Sequence, residues 1–198
     1  MSKIKDNLLK IYKTPRNSVV VKSKLKEDIY DELSINTVSN LITYIGQYTS
    51  LNHTKTFYDI GSGLGKIPLH ILTVTQCMKA VGIEKNKERC KITRNLYKSM
   101  VGFEHKKFKI INDDILNIKE FGDINYLNDF NFPSKYTSHV WDNLKPDALL
   151  ITHKKIGACY PIGRMLFKME NKKDSFWGLV YRKPLTQNGI PSRLGLKK

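Results

Sequence analysis

Three glycines, Gly61, Gly63 and Gly65, stand between an apolar run and a helical pattern in "FYDIGSGLGKIPLHIL" (Phe57 to Leu72). The order strand, glycine turn, helix opens a nucleotide-binding α/β unit. A glycine at 61 lets the chain reverse tightly, Gly63 and Gly65 let a ligand lie against bare backbone, and the next helix presents free N–H groups at its positive end. The spacing G-x-G-x-G is neither the G-x-G-x-x-G of dinucleotide sites nor a phosphate loop, because Lys66 is followed by Ile67 and not by a hydroxyl residue. Both phosphate readings are weakened by that.

Carboxylates further along complete the site. Glu84 ends the next predicted strand about 20 residues past the glycines, the distance at which an acid reaches ribose hydroxyls. Asp113 and Asp114 end the third strand in "INDDIL". A carboxylate there can accept an adenine amino group, with Ile115 against the ring. Adenine plus ribose without pyrophosphate describes S-adenosylmethionine.

These residues need a scaffold, and the pattern supplies one. Val38, Leu41, Ile42 and Ile45 share one face of a helix predicted over 34–48. Strands are expected at 56–60, 79–84, 108–111, 124–127 and 148–154. Helices are expected at 66–75, at 87–100 behind an Asn86 cap, and at 134–144 before Pro146. Pro68 is tolerable in a first helical turn. Strands alternating with helices give an α/β fold, a parallel sheet covered on both faces. Two strand-like runs around "ENKKDS" would add a C-terminal antiparallel hairpin. The expected whole is a Rossmann-like, mostly parallel sheet of seven strands. Residues 1–29 read as a basic arm holding at most one short helix, and residues 30–198 as the catalytic domain.

Charge narrows the partners. Lys and Arg number 34 against 18 Asp and Glu, a net charge of +16, which favours a polyanion such as nucleic acid. The excess gathers in the N-terminal arm and between Lys85 and Lys109. Lys outnumbers Arg, which suits charge attraction over bidentate base reading. No apolar run is long enough to cross a bilayer, and the N-terminus lacks the apolar core of a secretory signal. An intracellular protein is expected. Cys77, Cys90 and Cys159 fit no metal or disulfide spacing. The five histidines show no H-x-x-x-H spacing and read as structural or solvent-facing, so no metal is expected.

The motifs "YDELS" (Tyr30 to Ser34), "YDIGSGLGKI", "VGIEKN", "NDDIL" and "LNDFNF" (Leu127 to Phe132) resemble those of the disruptor-of-telomeric-silencing family. These are histone-lysine methyltransferases that lack a SET domain and share the class I fold. The resemblance covers about Asp28 to Lys155, and "YDELS" is its discriminating part. It implies that Glu32 and Ser34 hold the methionine end of S-adenosylmethionine. Asp59, Gly61 and Gly63, with Gly65 in the same turn, would line its middle. Glu84 would bind the ribose, and Asp114 and Ile115 the adenine. Asn128 and Phe130 would border the lysine channel. The chain departs from the family at Asp129, where a second Asn is usual, and at Lys66, where Gln is common.

Methyl transfer needs a neutral amine, whereas free lysine has a pKa near about 10.4. An apolar aromatic channel disfavours the ammonium, and Phe130, Phe132, Tyr136 and Trp177 are candidates for its sides. Asp129 either stands near the amine, holding or guiding its proton, or points to solvent. The implied function is transfer to a histone lysine in a nucleosome or other DNA-bound setting, in the nucleus or another DNA-containing compartment, with the basic arm on DNA phosphates. An alternative is a nucleic-acid methyltransferase, since "NDFNF" stands where such enzymes carry Asn/Asp-Pro-Pro-aromatic. The prolines are missing, which counts against it. A third reading is a binding module without turnover, opposed by the intact Glu32, Gly63, Glu84 and Asp114.

Overall fold

The computed structural model describes residues 2–14, 33–168 and 175–185. Its centre is one sheet of seven strands: β1 (Thr56–Ile60), β2 (Lys79–Ile83), β3 (Lys107–Ile111), β4 (Ile124–Leu127), β5 (Leu149–Thr152), β6 (Gly163–Lys168) and β7 (Ser175–Arg182). The order is β3-β2-β1-β4-β5-β7-β6. The first five strands are parallel; β7 runs antiparallel between β5 and β6. The hairpin expected at the C-terminus is therefore present, and the residues between its strands lie outside those described.

Strands β4 and β5 are buried along their whole length. Strands covered on both faces read as unbroken apolar runs, as "LLIT" does. Asn125 is the polar exception inside β4. Its carboxamide is saturated by Gly122 N–H, Gly122 O and Leu149 O, which makes burial affordable.

Helices α2 (Ile35–Ile45) and α3 (Lys66–Val74) cover one face, where Val38, Leu41, Ile71 and Leu72 pack on Phe57, Tyr126 and Phe167. On the other face Tyr136 and Val140 of α5 (Ser134–Asp142) pack on Ile60, Leu127 and Leu150. Helix α4 (Lys87–Lys98) crosses from β2 to β3 and is capped by Asn86, whose side chain accepts the Arg89 N–H at 3.0 Å. Between β3 and β4 the chain makes only a short 3-10 turn, Ile115–Asn117, which periodicity is too short to reveal. Both border strands carry exposed cations, Lys107 and Lys109 on β3, Lys168 on β6.

The start of the basic segment is a docked element. Residues Lys3–Lys13 form an amphipathic helix, α1, whose Ile11 is fully buried against Leu69 and Leu96. Asn7 clasps Val101, donating from Nδ2 to its carbonyl at 2.8 Å and accepting its N–H at 3.0 Å. Tyr12 Oη lies 2.8 Å from His70 Nδ1, and Lys10 Nζ donates to the Ser99 carbonyl at 2.6 Å, at the end of α4. Burial lowers the His70 pKa to about 4, so the ring is neutral in its Tyr12 contact. Part of the helix's inner face is the polar Asn7, which hides the pattern from hydropathy alone. The remainder of the arm, 15–32, lies outside the described residues, as does the expected boundary at 29/30.

Candidate active site

The glycine turn follows β1 directly. Gly61, Gly63 and Gly65 all have positive φ, the region that side chains with a Cβ rarely adopt. At Gly65 the close approach is also decisive: a Cβ would stand 2.4 Å from Thr93 Cγ2 of α4. At Gly61 a Cβ would press on the Phe132 ring at 3.1 Å. The turn is anchored from β2, whose Ile83 carbonyl accepts the N–H of both Gly61 and Ser62 at 2.9 Å.

Glu84, immediately after β2, is 5% exposed. Its Oε2 accepts the Gly63 N–H at 2.9 Å and its Oε1 the Asn86 N–H at 2.8 Å, with Arg89 Nη1 3.7 Å away. One carboxylate thus fastens the glycine turn to the start of α4. A carboxylate has about four acceptor positions, so capacity for ribose hydroxyls remains. Asn112, at the tip of β3, donates from Nδ2 to the carbonyls of Glu84 and Lys85, tying the third strand to the same place.

The two acids after β3 take different roles. Asp113 is exposed and its Oδ1 accepts the Asp114 N–H and the Asn117 amide. Asp114 is half-buried and caps the 3-10 turn through Oδ1, accepting the Leu116 N–H at 2.9 Å. Ile115 is buried beside it in the second core. Asp59, in β1, is 2% exposed. Burial, helped by the Glu84 charge, raises its carboxyl pKa to about 8. Near neutral pH it is mostly protonated and able to donate.

Ser34 caps α2, accepting the Thr37 N–H at 3.2 Å, and Thr37 in turn donates to the Lys168 carbonyl of β6. Glu32 lies outside the described residues.

The register ends β1 and β4 together at Ile60↔Leu127, so Gly61 and Asn128 each follow directly at neighbouring strand tips. Asn128 Oδ1 is buried without a hydrogen-bond partner among the described residues. Ser62 Oγ is in the same condition. An orphaned acceptor costs free energy unless a ligand completes it. Two unmet polar atoms beside bare glycine backbone, an acid with spare acceptors and a second acid at the β3 tip fit S-adenosylmethionine.

Asp129 corrects both sequence expectations. It neither lines a channel nor faces solvent; it is fully buried. Its Oδ2 accepts the hydroxyls of Thr137 and Thr152, and its Oδ1 the His153 N–H at 2.8 Å. The side chain joins the ends of β4 and β5 to α5. Two threonine hydroxyls supply the donors that let a carboxylate stand there.

The four aromatic candidates do not form one group. Phe132 and Tyr136 pack together with centroids 5.5 Å apart, Tyr136 buried. Phe130 is 55% exposed and lies 5.5 Å from Phe176 and 6.5 Å from His153. Trp177 is 53% exposed, with the Arg164 guanidinium 5.2 Å from its ring centroid. His153, expected to be structural or solvent-facing, belongs beside Phe130: its ring meets Phe176 at 4.7 Å and Phe167 at 5.2 Å, and Nδ1 lies 3.1 Å from the Trp177 carbonyl. Burial lowers its pKa, favouring the neutral ring. Its place directly after β5 is the signal that could have found it, because strand tips on this side of a parallel sheet build the ligand crevice. Among the described residues no His, Cys, Asp and Glu group could hold a metal ion, and no helix is long and apolar enough to cross a membrane.

A family model described as "Histone methylation protein DOT1" matches residues 22–160, which span every element from α2 to β5. The chain belongs to the DOT1 family. A Caenorhabditis elegans relative, "Histone-lysine N-methyltransferase, H3 lysine-79 specific", is 27% identical over 117 residues. That match takes in 51% of this chain and only 12% of the worm protein. An RNA methyltransferase from Salinibacter ruber, solved with S-adenosyl-L-homocysteine, superposes with a TM-score of 0.63 at 18% identity, covering 83% of this chain and 99% of that one. Trm5 from Methanocaldococcus jannaschii, solved with adenosine, gives 0.57 at 16% identity over 79% and 51%. At such identities the superpositions speak for the fold alone. This DOT1-family chain has the class I, S-adenosylmethionine-dependent methyltransferase fold.

Proposed function

We propose that this DOT1-family chain methylates the side-chain amine of a lysine on a histone, in a nucleosome or other DNA-bound context. The observation that carries the reading is the junction at the β1 and β4 tips, where Glu84-anchored glycine backbone adjoins the unpartnered Asn128, inside the segment matched by the family model. In this reading Glu32 and Ser34 hold the methionine end of the cofactor. Asp59, Gly61, Gly63 and Gly65 line its middle, Glu84 takes the ribose, and Asp114 with Ile115 takes the adenine. Asn128 and Phe130 border the incoming lysine, and Tyr136 and Trp177 shape the approach.

When bound, S-adenosylmethionine supplies an electrophilic methyl on a sulfonium. The protein's part is to bring an uncharged amine in line with it. The exposed Phe130 ring, with Phe176 and His153 behind it, offers apolar surface that strips water from the lysine. Desolvation lowers an amine's pKa and releases its proton before transfer. The side chains contribute position and dryness, the main terms available where no strong base is required. A histone target places the protein in the nucleus or another DNA-containing compartment. The basic residues of the arm are suited to phosphates there.

The test is incubation of the full chain with labelled S-adenosylmethionine and, separately, nucleosomes, free histones, RNA and DNA. Label on a histone lysine, lost in Glu84→Gln, is expected. Label on nucleic acid alone would replace this reading with the nucleic-acid one, and label on none of the four would end it.

A further inference from the structure

We propose that the outer face of α4 is a docking track for the phosphate backbone of a polynucleotide. This surface belongs to the folded body, and of the N-terminal arm only the docked helix α1 adjoins it. Lys87, Lys91, Arg94 and Lys98 are all exposed, and their spacing of four, three and four residues stacks them in one stripe. The opposite side of the helix carries the buried Arg89, Cys90, Thr93 and Leu96, so the stripe points straight out. None of the four cations is in an ion pair among the described residues.

Within the stripe, repulsion outnumbers attraction, although Lys98 suits the last turn and Glu88 stands three residues before Lys91. Three neighbouring pairs along the stripe are like-charged at i, i+3 or i, i+4, where helices gain from opposite charges. Lys87 also stands in the first turn, against the positive end of the helix dipole. A polyanion lying along the helix would turn all of these repulsions into attraction. The stripe spans about 16 Å at 1.5 Å per residue, and over that length one strand of duplex DNA carries roughly five phosphates. Beyond the helix the positive line continues: Lys10 Nζ lies on the Ser99 carbonyl, and Lys3 packs beside Gly102.

The surface suits phosphates better than it suits a protein or a membrane. Protein interfaces centre on buried aromatic or apolar anchors, and a membrane-lying helix needs an apolar face. The exposed flank of the stripe offers Glu88 and Asn95 instead. The track begins three residues after Glu84, so a polynucleotide held on it arrives beside the cofactor end of the sheet. This inference stands apart from the methyl-transfer reading, because binding is measured without turnover.

The experiment is fluorescence anisotropy of the full chain with a labelled 25-base-pair DNA duplex and, in a second arm, single-stranded RNA of equal length, from 50 to 200 mM salt. Lys87→Gln/Lys91→Gln/Arg94→Gln/Lys98→Gln is compared with a charge-matched control, Lys79→Gln/Lys107→Gln/Lys109→Gln/Lys119→Gln. The α4 variant is expected to bind at least about thirty-fold more weakly at 100 mM salt. Its slope of log K against log salt should be shallower by about 3 to 4 for the duplex. The control should lose less than a third as much. The arm with the larger loss identifies the polynucleotide. Equal losses in variant and control would reduce the effect to net charge and overturn the proposal, as would no loss, or displacement of the duplex by polyglutamate at equal charge. Lys91→Gln/Arg94→Gln, touching only mid-helix surface, repeats the test should the fourfold variant melt early.

Discussion

The two halves of the sheet's working end are built on different principles. Around β1 to β3, backbone and carboxylate lock each other: Glu84 holds Gly63 and Asn86, Ile83 holds Gly61 and Ser62, and Asn112 holds the Glu84 carbonyl. Around β4 to β7, the buried anchor is Asp129, and above it stand aromatic rings with over half their surface in water, Phe130 and Trp177. One half has its backbone fixed before any ligand arrives. The other leaves apolar area open for something to cover. A cofactor of constant shape suits the first, and a macromolecular substrate, which brings its own surface, suits the second.

Mutations in the locked half should therefore damage folding or cofactor binding, and those of the exposed rings in the open half turnover alone. The largest effect is expected at Gly65→Ala, which combines a positive φ with a Cβ 2.4 Å from Thr93 Cγ2. Chemical denaturation should show about 3 to 4 kcal/mol of destabilisation, from backbone strain and overpacking together. Thr93→Ser, which removes the clashing methyl, should recover part of it. Glu84→Gln comes next. It weakens two charge-assisted bonds to backbone N–H groups, and calorimetry should record about 100-fold weaker binding of S-adenosylmethionine.

Phe130→Ala tests the open half. Because the ring is exposed, the unfolding free energy should change by less than about 0.5 kcal/mol, while kcat/KM for a histone falls about tenfold and cofactor affinity stays level. A matching drop in cofactor affinity would dissolve the distinction between the halves. The smallest effect concerns pH. Asp59 titrates at about 8 in the folded chain, far above its ordinary value. Its folded form holds a proton that the unfolded chain releases at lower pH, so stability declines as pH rises toward 8 and levels off above it. Between pH 7 and 8 the loss should be about 1 kcal/mol, and Asp59→Asn should flatten that stretch of the curve.

Much of the locked half was legible in the sequence, because its signals are local. The glycines, Glu84 and "INDDIL" each lie at a strand tip, and their spacing reports the α/β repeat that brings them together. The hairpin was legible for the same reason. The open half was not. Alternation within a strand states that two residues share a face, never which rings from β4, β5 and β7 will meet, so it does not reveal the ring contacts of His153 or separate Trp177 from Phe130, Phe132 and Tyr136. The burial of Asp129 is not legible locally because its partners, Thr137 and Thr152, are hydroxyls on two other elements. The docking of α1 depends on Asn7 meeting Val101 across 94 residues, a contact no window can hold.

The lysines on β3 and β6 bear on how the molecule behaves in a crowd. An open sheet ends in two border strands with backbone groups free to pair, each an invitation for another chain to add a strand; on β6 the Tyr44 and Thr37 hydroxyls already take the Arg164 and Lys168 carbonyls. Here both border strands present lysines, Lys107 and Lys109 on β3 and Lys168 on β6, so charge repulsion opposes edge-to-edge pairing of two copies. Ions that shorten the reach of that repulsion would weaken the guard, and storage at high ionic strength should favour clumping over clarity.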